Sequence, residues 1–224
     1  MSNPLVACLI PTVPERAHLL PRAIRSWRVQ TYEPRILIIA LSGDLSGMKF
    51  DDPRIMAVPA TPGRLLGHHR NQTCEAAVAQ GAEIAVHFDD DDWSAPERVA
   101  EQVAELQSSR RDCVGYRTGL FWDEQARRAW MYSNGLKTYC LGNSLCYWLK
   151  SWQRVKFVER ARGEDTTWLN EVDSLGLAAP EPRMIAGIHA GNAERYKIEQ
   201  MAERSLNWRR AEEYDEFCAR EMSL

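Results

Sequence analysis

Ala82-Glu83-Ile84-Ala85-Val86-His87-Phe88-Asp89-Asp90-Asp91-Asp92-Trp93 is the stretch on which the reading of the chain turns. Its first half is an apolar-rich run of strand length, and four consecutive aspartates follow directly. A strand that ends this way delivers dense negative charge to its C-terminal edge, which is where open α/β sheets bind ligands. Carboxylates about 4 Å apart repel by about 4 kcal/mol per pair at an effective dielectric of about 20. They must therefore point apart into water or share a cation. Asp also serves in turns and helix N-caps, but this block lies between a buried-strand pattern and an aromatic residue. The expectation is a divalent metal holding a phosphate.

Outward from this stretch, the N-terminal half alternates strand and helix. Leu5 to Ile10 is a continuous apolar run ended by Pro11-Thr12, the pattern of a buried parallel strand. Leu20, Ile24 and Trp27 recur at helical spacing, with Pro21 at the helix start and Arg22, Arg25 and Arg28 elsewhere on its surface. Arg35 to Leu41 predicts a second strand and Ile55 to Val58 a short third. A helix from about His68 to Gln80 is closed by Gly81. After the acidic strand, Ser94-Ala95-Pro96-Glu97 reads as a capping box for a helix buried through Val99, Val103 and Leu106. This alternation predicts an α/β fold with a Rossmann-like, mixed but mostly parallel sheet flanked by helices.

Beyond residue 110 the pattern changes. Cys113 to Trp122 and Arg128 to Ser133 predict a hairpin, and Leu141-Gly142-Asn143-Ser144 opens a mixed region with Tyr147, Trp148 and Trp152. Gly163-Glu164-Asp165 predicts a helix start with two carboxylates at the positive end of the macrodipole, continuing to about Ser174. Met184 to His189 reads as a last strand. Residues 194-224 read as one long charged amphipathic helix anchored by Trp208, Tyr214 and Phe217, with a homo-oligomer contact as a further use.

The 224 residues, 45% of them hydrophobic, suffice for a sizeable core, and no linker composition divides the chain. A net charge of −3 supplies no global attraction for nucleic acid. Six scattered cysteines lack zinc-site spacing and read as reduced, which predicts a cytoplasmic setting. No apolar run has the length of a membrane span.

Taken together and in order, Ile10-Pro11-Thr12, Gly67-His68-His69-Arg70-Asn71, Phe88 to Trp93 and Gly163-Glu164-Asp165 resemble the family 2 nucleotide-sugar glycosyltransferases of GT-A fold, over about residues 5 to 190. The resemblance implies one GT-A-like domain across 1-224: a nucleotide-sugar-binding half (about 1-110), an acceptor-side half with a small hairpin region (about 111-193) and the C-terminal helix. It also implies inverting sugar transfer from a nucleotide diphosphate sugar, UDP by default, assisted by Mn²⁺ or Mg²⁺.

The same resemblance implies the residue roles. Asp91 would bind the metal directly, and Asp89 would face the ribose or help hold the metal, with Asp90 beside it. Asp165 would be the general base that deprotonates the acceptor hydroxyl, with Glu164 as the alternative. Pro11 and Thr12 would lie beside the nucleotide base, Arg70 would reach the donor phosphates, and Arg16 is a further candidate for that pocket. His189 would be a late metal or diphosphate ligand. Many relatives carry an aspartate pair after the second strand that reads uracil; here Leu41-Ser42-Gly43-Asp44 offers Ser42 or a shifted Asp44.

A nucleotide-sugar hydrolase or nucleotidyltransferase would use the same metal and phosphate pocket. A Ca²⁺-binding module would need a different spacing and a glycine in the acidic loop. The expected acceptor is a saccharide or glycoconjugate. Trp122, Trp130, Tyr147, Trp148 and Trp152 are candidate stacking platforms. Arg154, Lys156, Arg160 and Arg162 leave hydroxymethylated DNA as an alternative acceptor.

Overall fold

The computed structural model describes residues 3–43, 48–189 and 198–223. Its strands, in chain order, are β1 (Val6–Thr12), β2 (Arg35–Leu41), β3 (Ile55–Pro59), β4 (Ile84–His87), β5 (Trp93–Ser94), β6 (Cys113–Tyr116), β7 (Thr118–Asp123), β8 (Arg128–Ser133), β9 (Cys146–Trp148), β10 (Ser174–Leu177), β11 (Met184–Ile188) and β12 (Trp208–Arg210). The helices are α1 (Leu20–Arg28), α2 (Leu66–Ala79), α3 (Arg98–Ser109), α4 (Leu149–Arg154), α5 (Glu164–Leu169), α6 (Ile198–Arg204) and α7 (Asp215–Glu221).

The main sheet has the order β10-β6-β9-β4-β1-β2-β3. All of its strands run one way except β9, which is antiparallel to both neighbours. Strand β1 shows why the sheet sits in the middle of the molecule. Val6, Cys8 and Ile10 point into a core shared with α1 and α3, while Ala7 and Leu9 point into a second core shared with α2, α4 and α5. Burial on both faces is what the unbroken apolar runs of β1, β2 and β4 encode.

A second sheet, β12-β8-β7-β11-β5, stands against the C-terminal part of the chain. It corrects two expectations. The hairpin is made by β7 and β8 alone. Cys113 to Tyr116 instead enters the main sheet between β10 and β9, where it is buried like a central strand. The main sheet therefore takes strands from both halves of the chain.

The long C-terminal helix is absent among the described residues; 194–197 lie outside them. After α6, Trp208 pairs with Tyr132 and Arg210 with Trp130 along the open edge of β8. Ser205 ends α6, its carbonyl accepting from Trp208 N at 3.2 Å. Asp215 then accepts from Ala129 N at 2.7 Å and starts α7, whose Cys218 joins Leu120 and Trp122 in a third core. Pairing the exposed backbone of an edge strand outweighs a helical period that local sequence alone would extend.

Smaller differences follow the same logic. Ser94 belongs to β5 and accepts a hydrogen bond from Arg98 Nη1 at 2.7 Å, so the expected capping box is replaced by a helix that starts at Arg98. The helix opened by Gly163 stops at Leu169, and the residues after it turn into β10. Arg22, expected on the surface of α1, is buried.

Candidate active site

The chain reverses direction at one edge of the main sheet. Strand β1 ends there at Thr12 and β4 at His87, followed by Asp89 to Asp92. Because β9 is antiparallel, its N-terminal approach, Gly142 to Ser144, arrives at the same edge. Strand β11 ends beside it at Ile188. Between these ends and the N-terminal ends of α2 and α5 lies a cleft of about 790 Å³. Its lining includes Pro11, Thr12, Arg16, Arg70, Asp89 to Asp92, Glu164, Asp165 and Gly187. Asp44, the shifted candidate for the base, lies outside the described residues.

The four aspartates divide the charge between arginines and the backbone. Asp90 is buried; its Oδ2 accepts from Thr12 Oγ1 at 2.5 Å, and both its oxygens lie 3.1 Å from Arg16 Nε. Arg16 also meets Asp91 Oδ2 at 2.8 Å, and His189 Nε2 meets the same oxygen at 3.0 Å. Burial alone pushes the Asp91 carboxyl up, but the His189 and Arg16 contacts outweigh it and hold the group below the usual carboxylate range. The Asp91 carbonyl accepts from buried Arg22 at 2.9 Å.

Asp92 turns away from the cation sites. Asn143 Nδ2 donates to its Oδ2 at 2.7 Å and Gly187 N to its Oδ1 at 3.1 Å. Burial, with the charges of Asp91 and Asp89 adding to it, raises this carboxyl well above its ordinary value. Asp89 is the most open of the four and lies 3.5 Å from Arg70. Burial first, then Asp91 and Asp90, push it up to about 6 against the opposing charge of Arg70. The repulsion that the sequence implies is thus relieved by two arginines and by two carboxyls that ionise late.

Arg70 joins this block to the Gly163-Glu164-Asp165 turn. Its Nε donates to Glu164 Oε1 at 2.9 Å, both side chains being almost wholly buried. Burial opposes its charge, but Asp89 and Glu164 keep it protonated. Close packing makes this contact possible: a β-carbon on Gly67 would run into the Val158 carbonyl and stand 3.2 Å from Glu164 Cβ. Asp165, next in the chain, is half-exposed and lines the cleft, where its Oδ1 accepts from Thr166 N at 2.7 Å. The adjacent carboxylates therefore occupy different settings, one locked under Arg70 and one facing the open cleft.

His87, unassigned in the sequence, sits beneath this junction. Its Nδ1 is 2.9 Å from Arg70 Nη1 and 2.8 Å from the Gly142 carbonyl, so a tautomer that accepts from the first cannot donate to the second. Burial first, then the charge of Arg70, lowers its pKa well below the ordinary value and keeps the ring neutral. Buried Arg98 ties the same loops together by donating to the carbonyls of His87 at 2.8 Å and Asn143 at 3.0 Å. Sequence reasoning missed Arg22, His87, Arg98 and Asn143 as parts of the site. Arginines on helices normally read as solvated, and nothing local marks these as buried.

The donor set suits a cation that shares its coordination with phosphate. Asp91 and His189 converge, and Asp89 lies one residue from Asp90 on the same loop. Among the described residues no group of three or more His, Cys, Asp or Glu side chains could hold a metal unaided. Mg²⁺ and Mn²⁺ accept oxygen and imidazole donors, and Mg²⁺ ordinarily takes only one or two protein carboxylates, with substrate phosphates and water completing the shell.

The aromatic candidates are redistributed. Trp122, Trp130, Tyr147 and Trp152 are buried core, and Trp148 lies half-buried beneath Lys150. Phe121 and Tyr139 line the cleft instead, backed by Tyr132 and Trp208. Of the basic stretch, Arg154 pairs with Asp112 at 2.7 Å and Lys156 with Glu75 at 2.9 Å, while Arg160 donates to Thr167 Oγ1 at 3.3 Å. The six cysteines are all buried and unpaired as disulfides.

No protein-family model matches the chain, and no curated protein matches it in sequence. Solved structures do match. Residues 1–349 of S. aureus TarS in complex with UDP-GlcNAc align with TM-score 0.64 and 12% identity, covering 88% of this chain and 63% of that one. The same TarS segment in complex with UDP aligns with TM-score 0.61 and 12% identity, over 82% and 60% of the two chains. The fold is GT-A-like, a parallel-rich α/β sheet flanked by helices that resembles TarS. At this identity the likeness is one of architecture, and the chain spans less than two thirds of the TarS chains it matches. No helix among the described residues is long and apolar enough to cross a membrane.

Proposed function

We propose that the chain is a metal-dependent, inverting glycosyltransferase of the family 2 type, moving a sugar from a nucleotide diphosphate sugar to a hydroxyl of a glycan or glycoconjugate. One arrangement carries this reading: the Asp91-His189 pair, the cations Arg16 and Arg70, and the open carboxylate of Asp165 gather around a single cleft in a GT-A-like fold. TarS was solved with UDP-GlcNAc and with UDP, which makes a uridine nucleotide the first donor to test.

In this mechanism Pro11 and Thr12 border the nucleotide, and Arg16 and Arg70 bring positive charge to its diphosphate. Asp91 and His189 would hold Mn²⁺ or Mg²⁺ together with donor phosphate and water oxygens, with Asp89 on the same loop helping, and the cation when bound would neutralise charge on the leaving diphosphate. Asp165 takes the proton of the acceptor hydroxyl as that oxygen bonds to the anomeric carbon, and the bond from that carbon to the diphosphate oxygen breaks with its electrons going to the nucleotide. A single displacement inverts the anomeric centre and needs no protein nucleophile. Glu164, locked against Arg70, positions that arginine.

The test is a thermal-shift screen of nucleotide sugars with Mn²⁺, followed by product analysis. A ligand bound by the native state raises the melting temperature by mass action. Nucleoside diphosphate with a new glycosidic product is expected. Release of pyrophosphate, or of free sugar with every acceptor supplied, would assign the site to a nucleotidyltransferase or a hydrolase instead.

A further inference from the structure

Beside the cleft lies a second concavity of about 380 Å³, between the loop at Leu136–Cys140 and the helix α5 that carries Asp165. Tyr139 and Thr166 line both, so the two spaces share a wall next to the candidate base. Its apolar floor includes Leu169 and Val172, and its rim carries the hydroxyls of Thr138 and Thr166 and the amide of Asn170. Asn170 is exposed on this rim and offers an amide that both donates and accepts.

Two properties select the ligand chemistry. No lysine or arginine lines this pocket, and its one charged residue is Asp173, paired with Arg111. Phosphate-rich acceptors are held by cations, and here the lining offers none. On the cleft side Tyr139 and Phe121 line the space and are joined behind it by Tyr132 and Trp208, with ring centroids 5.8, 4.9 and 4.8 Å apart in succession from Tyr139 to Phe121. Aromatic faces beside neutral hydroxyl and amide groups suit a ring with apolar C–H faces and a hydroxyl edge.

We infer that this pocket is the acceptor subsite and that the acceptor is an uncharged saccharide, its ring against Tyr139 and its hydroxyls bonded to Thr138, Thr166 and Asn170. The inference rests on the glycosyltransferase reading above, and its consequence is that DNA and other phosphate-rich acceptors are disfavoured.

Saturation-transfer NMR on the full chain tests it, with UDP and Mn²⁺ reporting the donor cleft and short malto-, chito- and manno-oligosaccharides probing the pocket. At least one oligosaccharide is expected to bind. Asn170→Leu and Tyr139→Ala should each weaken that binding by about tenfold, the loss of one or two polar or stacking contacts. UDP binding should persist in Asn170→Leu, which also shows that this variant folds, while folding of Tyr139→Ala, whose residue lines both spaces, is checked by circular dichroism. Unchanged oligosaccharide binding in both variants, binding of none of the oligosaccharides, or binding confined to phosphorylated oligosaccharides or hydroxymethylated duplex DNA would overturn the assignment. Failure of the wild type to bind any nucleotide would overturn the glycosyltransferase reading itself, and is seen in a separate signal.

Discussion

Asp165 holds its carboxylate in the space that a side chain on Gly142 would fill. A β-carbon built on Gly142 overlaps Asp165 Oδ2 and stands 2.6 Å from Cγ and 3.2 Å from Cβ. Glycine at the approach to β9 is thus what admits the carboxylate to the cleft.

Gly142→Ala is expected to push Asp165 out of position while leaving the donor side intact. A displacement of about 1 Å at a reacting group costs about 10²-fold in rate. Single-turnover transfer should fall by that order with nucleotide affinity retained. A full rate would show that the close approach does not matter for catalysis.

Asp165→Asn removes the proposed base without changing its shape. Transfer is expected to fall by about 10² to 10⁴-fold, the range that general-base catalysis supplies. Calorimetric titration with UDP and Mn²⁺ should give an unchanged dissociation constant. Wild-type turnover in this variant would remove Asp165 from the mechanism.

Glu164 has a different duty, and a stability measurement separates the two carboxylates. Glu164→Ala strands Arg70 among buried groups, with Asp89, 3.5 Å away, as its remaining ion-pair partner among the described residues and Asp165 acting from farther off. Breaking a buried ion pair from one side costs about 3 kcal/mol or more. Urea unfolding should show a loss of that size for Glu164→Ala and a small change for Asp165→Asn. Equal, small losses would contradict the assignment of Glu164 to holding Arg70.

Asp89 gives a pH dependence of defined sign. Its carboxyl is raised from 3.8 to about 6 in the folded protein, chiefly by burial. Between these values the folded state binds more protons than the unfolded state, so this group's contribution to stability falls as pH rises and levels off above about 6. Without metal, wild type should lose stability relative to Asp89→Asn over that interval, followed by melting temperatures across pH. Mn²⁺ affinity should strengthen over the same interval, because the cation requires the ionised carboxylate. A difference between the two proteins that stays flat with pH would show that Asp89 titrates normally.

Much of the frame was legible before any coordinates. Unbroken apolar runs marked β1, β2 and β4 because a strand buried on both faces admits no polar alternation. The aspartates after β4 and the carboxylates at the start of α5 were visible as charge at element ends, and both do border the cleft. The C-terminal segment was misread because helical spacing of Trp208, Tyr214 and Phe217 carries no information about the β8 edge that β12 pairs with.

What the sequence determined by itself is a parallel-rich α/β sheet and the placing of its acidic residues at one edge, since apolar period and chain order act locally. What only tertiary structure decided is which charge meets which. Arg22 reaches Asp91 across 69 residues, His87 reaches Gly142 across 55 and Arg98 reaches Asn143 across 45. Such pairings depend on burial, which leaves a charged group no water and forces it onto whatever partner the fold brings within reach. The four aspartates are therefore not equivalent: Arg16 holds Asp90 and Asp91, Arg70 stands near Asp89, and Asn143 with the Gly187 amide holds Asp92.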